Sequence, residues 1–216
     1  MKPIECVIFD MDGVIVNTEP LHKKAYYKTF NALDLHVSDE LYHSLTGSST
    51  INAFQKLVAH FKLSNKPEEL VLQKRAFFVD LFTTDKELAL IDGVKDIIEY
   101  FYQKNIILVL ASSASMGTIN SVFTRFNLNK YFIGKLSGAD LKESKPHPEI
   151  FEKAAKLANV SKENCIVIED SDNGVLAANR ASIFCVGYKS EHSKLQTLEN
   201  ADLVIDTFEE LKNLTI

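Results

Sequence analysis

The 216-residue chain has little glycine or proline, 8 and 5 residues, only 3 cysteines and no tryptophan. This composition excludes collagen-like and low-complexity chains. The cysteines are odd in number and lie in apolar stretches without a CxxC spacing, which is typical of buried thiols in a reducing compartment. No stretch approaches the roughly 18 apolar residues of a membrane span, and the first residues do not read as a secretory leader. We expect a cytoplasmic protein.

An excess of positive charge is also missing. Lys and Arg number 24 against 29 Asp and Glu, so the formal net charge is −5, and no basic run is interleaved with aromatic residues. Nucleic acid and anionic membranes are therefore not expected partners. With 46% hydrophobic and 25% charged residues, the composition is that of an ordinary globular protein. We expect a monomer or a weak dimer.

Short, continuously apolar runs recur along the chain and predict strands that are buried on both faces. The predicted strands are 5–9, 106–111, 165–168, 183–186, 203–205 and, more weakly, 135–137. Amphipathic stretches at 94–104, 116–126, 149–157 and 175–181 predict helices between them. This alternation predicts an α/β fold with a doubly wound, Rossmann-like parallel sheet.

The segment from Glu19 to about Lys86 interrupts the alternation, because it contains helical patterns and no buried-strand run. We interpret it as a helical cap domain, residues 17–87, inserted after the first strand of a core domain formed by 1–16 and 88–216. Ligands of open parallel sheets bind at the carboxyl ends of the strands. The insertion point therefore predicts a cap over that edge.

Two aspartates, Asp10 and Asp12, directly follow the first predicted strand and precede Gly13. A loop with Gly13 at its turn can bring both carboxylates to one site. The alternative is an acidic strand-to-loop turn without chemistry. This motif alone does not decide between the two interpretations.

A second acidic pair, Glu169-Asp170, ends another apolar run. Capping of the following helix by Asp170 or Asp172 would explain this pair by itself. Two acidic pairs at neighbouring strand ends, however, would repel each other unless a cation lay between them. Oxygen ligands without His or Cys select a hard ion, so we expect Mg²⁺.

Two further elements offer groups for an anion. Ser112 and Ser113 follow the strand 106–111 and precede a helix, and hydroxyl and backbone N–H groups at such a place can bind phosphate. A serine-rich helix cap is the alternative, and it explains Ser115 better than Ser112. Lys145, before Pro146, would bring a cation to the acidic site.

In this order, Asp10-Met11-Asp12-Gly13, Ser112, Lys145-Pro146 and Glu169-Asp170 with Gly174 resemble the motifs of the haloacid dehalogenase superfamily. The match covers essentially the whole chain. The helical insertion resembles the cap of the β-phosphoglucomutase and sugar-phosphatase branch.

The resemblance implies a role for each motif residue. Asp10 would be the nucleophile that forms an aspartyl phosphate, and Asp12 the general acid and base, which also offers the metal its backbone carbonyl. Asp170 would bind Mg²⁺ directly, and Glu169 would lie near the ion or contact it through a water molecule. The phosphoryl group would be held by Ser112, Ser113 and Lys145.

Within the cap, the resemblance places Thr18 at the hinge and His22 towards the cleft, although a lone helical His is more often a surface residue. Mutases of this branch carry a cap Arg where this chain has Thr50, and a cap Lys that an ungapped match aligns with Asp80. Both differences weigh against a mutase.

We therefore expect a hydrolase, a Mg²⁺-dependent phosphatase of small phosphorylated metabolites, most naturally sugar phosphates. The first alternative is a β-phosphoglucomutase-type phosphosugar mutase, which differs only in the nucleophile that accepts the phosphoryl group. A haloacid dehalogenase is disfavoured because its chemistry needs no metal. A non-catalytic phosphometabolite-binding module is the remaining alternative.

Overall fold

The computed structural model describes residues 3–45, 49–189 and 196–214. Its internal contacts group the chain into two units, Met1–Asn17 with Ala89–Ile216, and Thr18–Leu88. The helices are α1 Glu19–Ala32, α2 Asp39–His43, α3 Thr50–Phe61, α4 Pro67–Thr84, α5 Val94–Gln103, α6 Met116–Arg125, α7 Glu149–Ala158 and α8 Asp172–Ala181.

The first unit is built on a six-stranded sheet in which every neighbouring pair is parallel. Its strands are β1 Cys6–Phe9, β2 Ile107–Ser112, β3 Gly134–Ser137, β4 Cys165–Glu169, β5 Phe184–Tyr188 and β6 Leu203–Ile205, in the order β3-β2-β1-β4-β5-β6. The predicted α/β class and parallel sheet are confirmed. Because β1 lies between β2 and β4, the segments that follow these three strands meet at one edge of the sheet.

The core of this unit forms because the central strands are apolar on both faces. Ile8, Val109 and Val167 from three adjacent strands pack in one cluster with Phe151 of α7 and Ala178 of α8. In the same cluster, Cys6 and Cys165 are register partners on β1 and β4, and all three cysteines are buried and free. The prediction of buried thiols is confirmed.

Serine side chains cap the N-termini of α6 and α8. Ser115 caps α6 by accepting the N–H of Thr118 at 3.3 Å, as predicted. Ser171 caps α8 by accepting the N–H of Gly174 at 3.1 Å. The predicted start of α8 at 175 is therefore three residues too late, and capping by Asp170 or Asp172 is wrong.

The second unit contains only helices among the residues that the structure describes. Its core is aromatic and aliphatic, with Tyr26, Phe30, Phe54 and Leu70 buried in one cluster. None of the helices in the described parts of either unit has both the length and the hydropathy to cross a bilayer.

Candidate active site

An acidic cluster lies at the carboxyl ends of β1 and β4. Asp10 directly follows β1, and its N–H donates to the carbonyl of Ile168 at 3.0 Å, so the chain stays paired with β4 one residue beyond the strand. β4 ends in Glu169 and is followed by Asp170. One carboxylate oxygen from each of Asp10, Glu169 and Asp170 lies within 4.8 Å of the others. The predicted meeting of the two acidic motifs is thus present.

Gly13 allows the loop after Asp10 to fold against this cluster. Its φ is +83°, and its N–H donates to the carbonyl of Val16 at 3.0 Å. A Cβ at this position would overlap the carboxylate of Asp170. Glycine is therefore required for two reasons, the left-handed backbone and the close approach of a charged side chain. The turn also leaves Asp12 half-buried beside the cluster.

Lys145 is the cation that contacts the cluster. Its Nζ donates to Asp10 at 2.5 Å, to Glu169 at 2.6 Å and to the carbonyl of Ala111 at 2.9 Å. Only 8% of the residue is exposed. All three ammonium protons therefore have acceptors, and the side chain is fixed at the site, as its position next to Pro146 predicts.

Glu169 is bonded through both carboxylate oxygens. Oε1 accepts from Lys145, whereas Oε2 accepts from the N–H groups of Asp170 and Ser171 at 3.1 and 3.2 Å and from the Ser171 hydroxyl at 2.9 Å. A Cβ on Gly174 would overlap this carboxylate. Glu169 thus links Lys145 to the beginning of α8, a contact that the sequence did not predict.

The electrostatics of the cluster follow from burial and crowding. Burial raises the pKa of Asp10 to about 7, Lys145 opposes this, and the charges of Glu169 and Asp12 add to it. Burial and the neighbouring carboxylates also raise the pKa of Asp170 well above its usual range. Burial alone would lower the pKa of Lys145, but Asp10 and Glu169 outweigh it and raise the pKa, so this side chain stays charged.

These observations fit a hard divalent cation. One lysine does not compensate for three clustered carboxylates, and the pKa values of Asp10 and Asp170 are raised first by burial and further by the neighbouring carboxylates. The donors are all oxygens, which suits Mg²⁺. Because Glu169 already accepts bonds at both oxygens, Asp10 and Asp170 are the better direct ligands.

The predicted anion-binding loop follows β2, which is the other neighbour of β1. Ser112 is the last residue of β2 and is fully buried, and its Oγ accepts the N–H of Ala114 at 3.1 Å. Ser113 is exposed. Because Lys145 donates both to Asp10 and to Ala111, it connects this loop to the acidic cluster.

The predicted cap residues all lie in the second unit. Thr18 is buried, and its carbonyl accepts the N–H of His22 at 2.9 Å. His22 is half-buried, and its ring stacks on Phe78 with centroids 4.3 Å apart. Thr50 is the first residue of α3 and follows Ser49, whose side chain caps the N-terminus of that helix. Gly47 and Ser48, which precede Thr50 in the stretch that matches the one before the mutase arginine, lie outside the described residues.

Lys74 was missed by the sequence analysis. Its Nζ lies 2.6 Å from Nδ1 of His22 and 4.7 Å from the centre of the Tyr26 ring, and the residue is 3% exposed. Asp80, which the ungapped match aligns with the mutase lysine, is exposed and pairs with Lys28 at 3.5 Å. The sequence did contain a signal for the burial of Lys74, because this residue lies four residues from both Leu70 and Phe78, on the apolar stripe of α4.

Known proteins of one family resemble this chain over most of its length. A family model described as haloacid dehalogenase-like hydrolase matches residues 7–188. The chain is 31% identical over 184 residues to a phosphorylated carbohydrates phosphatase of Thermotoga maritima, covering 83% of this chain and 82% of the relative. It is 27% identical over 207 residues to a β-phosphoglucomutase of Bacillus subtilis, covering 94% and 89%.

Among solved structures, CbbY from Rhodobacter sphaeroides in complex with phosphate superposes with a TM-score of 0.87. The two chains are 28% identical, and the match covers 96% of each.

Proposed function

Since the chain belongs to the haloacid dehalogenase-like hydrolase family, we propose that it is a Mg²⁺-dependent phosphatase of phosphorylated sugars. It is an enzyme of the phosphoric monoester hydrolase class. The observation that carries the proposal is the position of Asp10. Its carboxylate is buried at the end of β1, contacts Lys145 and lies in a cluster with Asp170. A carboxylate so placed suits attack on a phosphorus atom whose oxygens are neutralised by cations.

In the proposed reaction, an Asp10 oxygen attacks phosphorus and forms an aspartyl phosphate while the bond to the leaving alcohol oxygen breaks. Asp12 donates its proton to that oxygen and then accepts a proton from the water that hydrolyses the aspartyl phosphate. Lys145, Ser112 and the N–H of Ser113 bind the phosphoryl oxygens. The sum of the two steps is hydrolysis of the ester to an alcohol and inorganic phosphate.

Asp10 and Asp170, with the backbone carbonyl of Asp12, are the groups that would hold Mg²⁺. When bound, the ion supplies positive charge to the phosphoryl oxygens. Glu169 would then act on Lys145, by fixing the ammonium between itself and Asp10.

Removal of the metal tests the proposal most simply. Phosphate release from a panel of phosphorylated sugars should fall at least tenfold in excess chelator and recover when Mg²⁺ is added, because the uncompensated carboxylates repel an anionic substrate. Zn²⁺ should restore it poorly, since the donors are all oxygens. Undiminished phosphate release in excess chelator would refute the metal site.

The role of Glu169 gives a second prediction. Glu169→Gln leaves one acceptor oxygen where the structure uses two, so either Lys145 or the N–H groups of Asp170 and Ser171 lose a partner. We expect kcat to fall by about 10–100-fold, while the Mg²⁺ concentration for half-maximal activity changes little.

Glu152→Gln is the matched control, because Glu152 forms an exposed ion pair with Lys162 and lies on α7, and its kcat should equal that of the wild type. A large loss of Mg²⁺ affinity in Glu169→Gln, with kcat restored at saturating metal, would make Glu169 a metal ligand instead.

A phosphosugar mutase is the second candidate, and Lys74 is the observation that favours it. A mutase needs a cation in its cap for the second phosphate of a bisphosphate intermediate. Thr50 is neutral, but Lys74 provides a buried ammonium beside His22 in the second unit. Conversion of β-glucose 1-phosphate with a bisphosphate primer should be measured beside phosphate release. We expect phosphate release to dominate, whereas primer-dependent isomerisation that is lost in Lys74→Met would establish the mutase.

A further inference from the structure

Ser137, the last residue of the edge strand β3, contacts the anion-binding loop that follows β2. Its side chain is buried, with 3% of the residue exposed, and its hydroxyl donates to the carbonyl of Ala114 at 2.8 Å. Ser137 is the register partner of Ser112. The bond therefore connects the end of β3 to the loop that leaves the end of β2.

The peptide groups of Ala114 are held at both ends. Its N–H donates to the Ser112 hydroxyl at 3.1 Å, and its carbonyl accepts from Ser137. Rotation of either peptide group of Ala114 would break one of these partly buried hydrogen bonds. Ser112 therefore fixes the peptide between Ser113 and Ala114, and Ser137 fixes the next peptide, between Ala114 and Ser115.

The residue after Ser137 supplies a second contact with the same loop. A Cβ added to Gly138 would lie 3.2 Å from Cα of Ser113 and 3.4 Å from the carbonyl oxygen of Ser112. The backbone of Gly138 thus packs directly behind Ser113. Two independent contacts, one polar and one steric, bring the end of β3 against the loop.

We propose that Ser137 is a positioning residue for phosphate binding, because its hydroxyl fixes the loop 112–115 in the conformation that presents the Ser112 hydroxyl and the Ser113 N–H to the phosphoryl group. The inference rests on the proposed function, which gives this loop its ligand. It also predicts a separation of effects. Ser137 contacts the loop after β2, whereas the metal carboxylates follow β1 and β4, so phosphate binding and metal binding should respond differently.

The test uses Ser137→Ala in the full chain with inorganic phosphate as the probe, measured by equilibrium dialysis at saturating Mg²⁺. We expect the Kd for phosphate to rise by about five- to twentyfold. The KM for a phosphorylated sugar should rise by a similar factor and kcat should change by less than about threefold, while the Mg²⁺ dependence of activity is unchanged.

Ser121→Ala is the matched control, because the Ser121 hydroxyl also donates to a backbone carbonyl, that of Gly117 at 2.9 Å, but on the exposed face of α6. It should bind phosphate as the wild type does. Gly138→Ala is a second variant that perturbs the loop sterically, so it keeps the proposal testable if Ser137→Ala is unstable in thermal melts.

Unchanged phosphate affinity in Ser137→Ala, or a parallel loss of phosphate and Mg²⁺ binding, would overturn the proposal. Failure of the proposed function would look different. In that case the wild type would release no phosphate from any ester in the panel, yet Ser137→Ala would still weaken the binding of inorganic phosphate.

Discussion

Asp10→Asn should lower phosphate release by on the order of 10⁴-fold or more, because an amide is neither a nucleophile toward phosphorus nor a good ligand for a hard cation. The amide is almost the same size as the carboxyl group and can still accept a bond from Lys145. Removing the carboxylate also removes the cost of burying its charge, which is the main cause that raises the pKa of Asp10 to about 7. The metal-free variant should therefore melt at a temperature close to that of the wild type.

The matched control for this variant is Asp140→Asn. Asp140 is an exposed aspartate in the short helical turn after β3, and its neutralisation should leave turnover unchanged. Phosphate release by Asp10→Asn within tenfold of the wild type would show that another group attacks phosphorus.

Lys145→Met should lower kcat by about 10²–10³-fold. The Met side chain retains most of the aliphatic stem, which runs beside Phe151 with Nζ 5.0 Å from the ring centre, but it supplies no charge. Three clustered carboxylates then lose the cation that contacts two of them. Mg²⁺ should also raise the melting temperature of the variant by more than it raises that of the wild type, because the ion becomes the main source of neutralising charge.

Lys153→Met is the control for the loss of a lysine. Lys153 is an exposed residue that pairs with the partly exposed Glu149 on α7, and pairs at the surface contribute little, so kcat and stability should both be retained. A Lys145→Met variant with wild-type kcat would mean that the ammonium does not act on the substrate.

The sheet and its acidic edge were predictable because each depends on a local pattern. Apolar runs bounded by polar residues located the strands within one or two residues of their ends, as for β4 at Cys165–Glu169 against the predicted 165–168. Parallel topology then requires the residues after neighbouring strands to meet. For this reason Asp10 and Asp170 could be paired from sequence, although they are far apart in the chain.

Contacts that depend on side-chain direction were not predictable. The hydrogen bond from Lys145 to Glu169 depends on the orientation of the Glu169 carboxylate, whose other oxygen accepts the N–H of Ser171 at the start of α8. The burial of Lys74 depends on which face of α4 packs, and a single lysine in an apolar stripe does not reveal its partner. Ser137 has no motif at all, since its function depends on the carbonyl of a residue in another loop.

The central claim is that Asp10 carries the phosphoryl group. The most direct test is to mix the protein with radiolabelled acetyl phosphate, a donor whose leaving group needs little acid assistance, and to quench with acid. The label should become covalent, be released by hydroxylamine as acyl phosphates are, and map to the peptide that contains Asp10. It should accumulate further in Asp12→Ala, which lacks the base for hydrolysis, and be absent in Asp10→Asn. Turnover without any covalent label, or a label on a different residue, would contradict the claim.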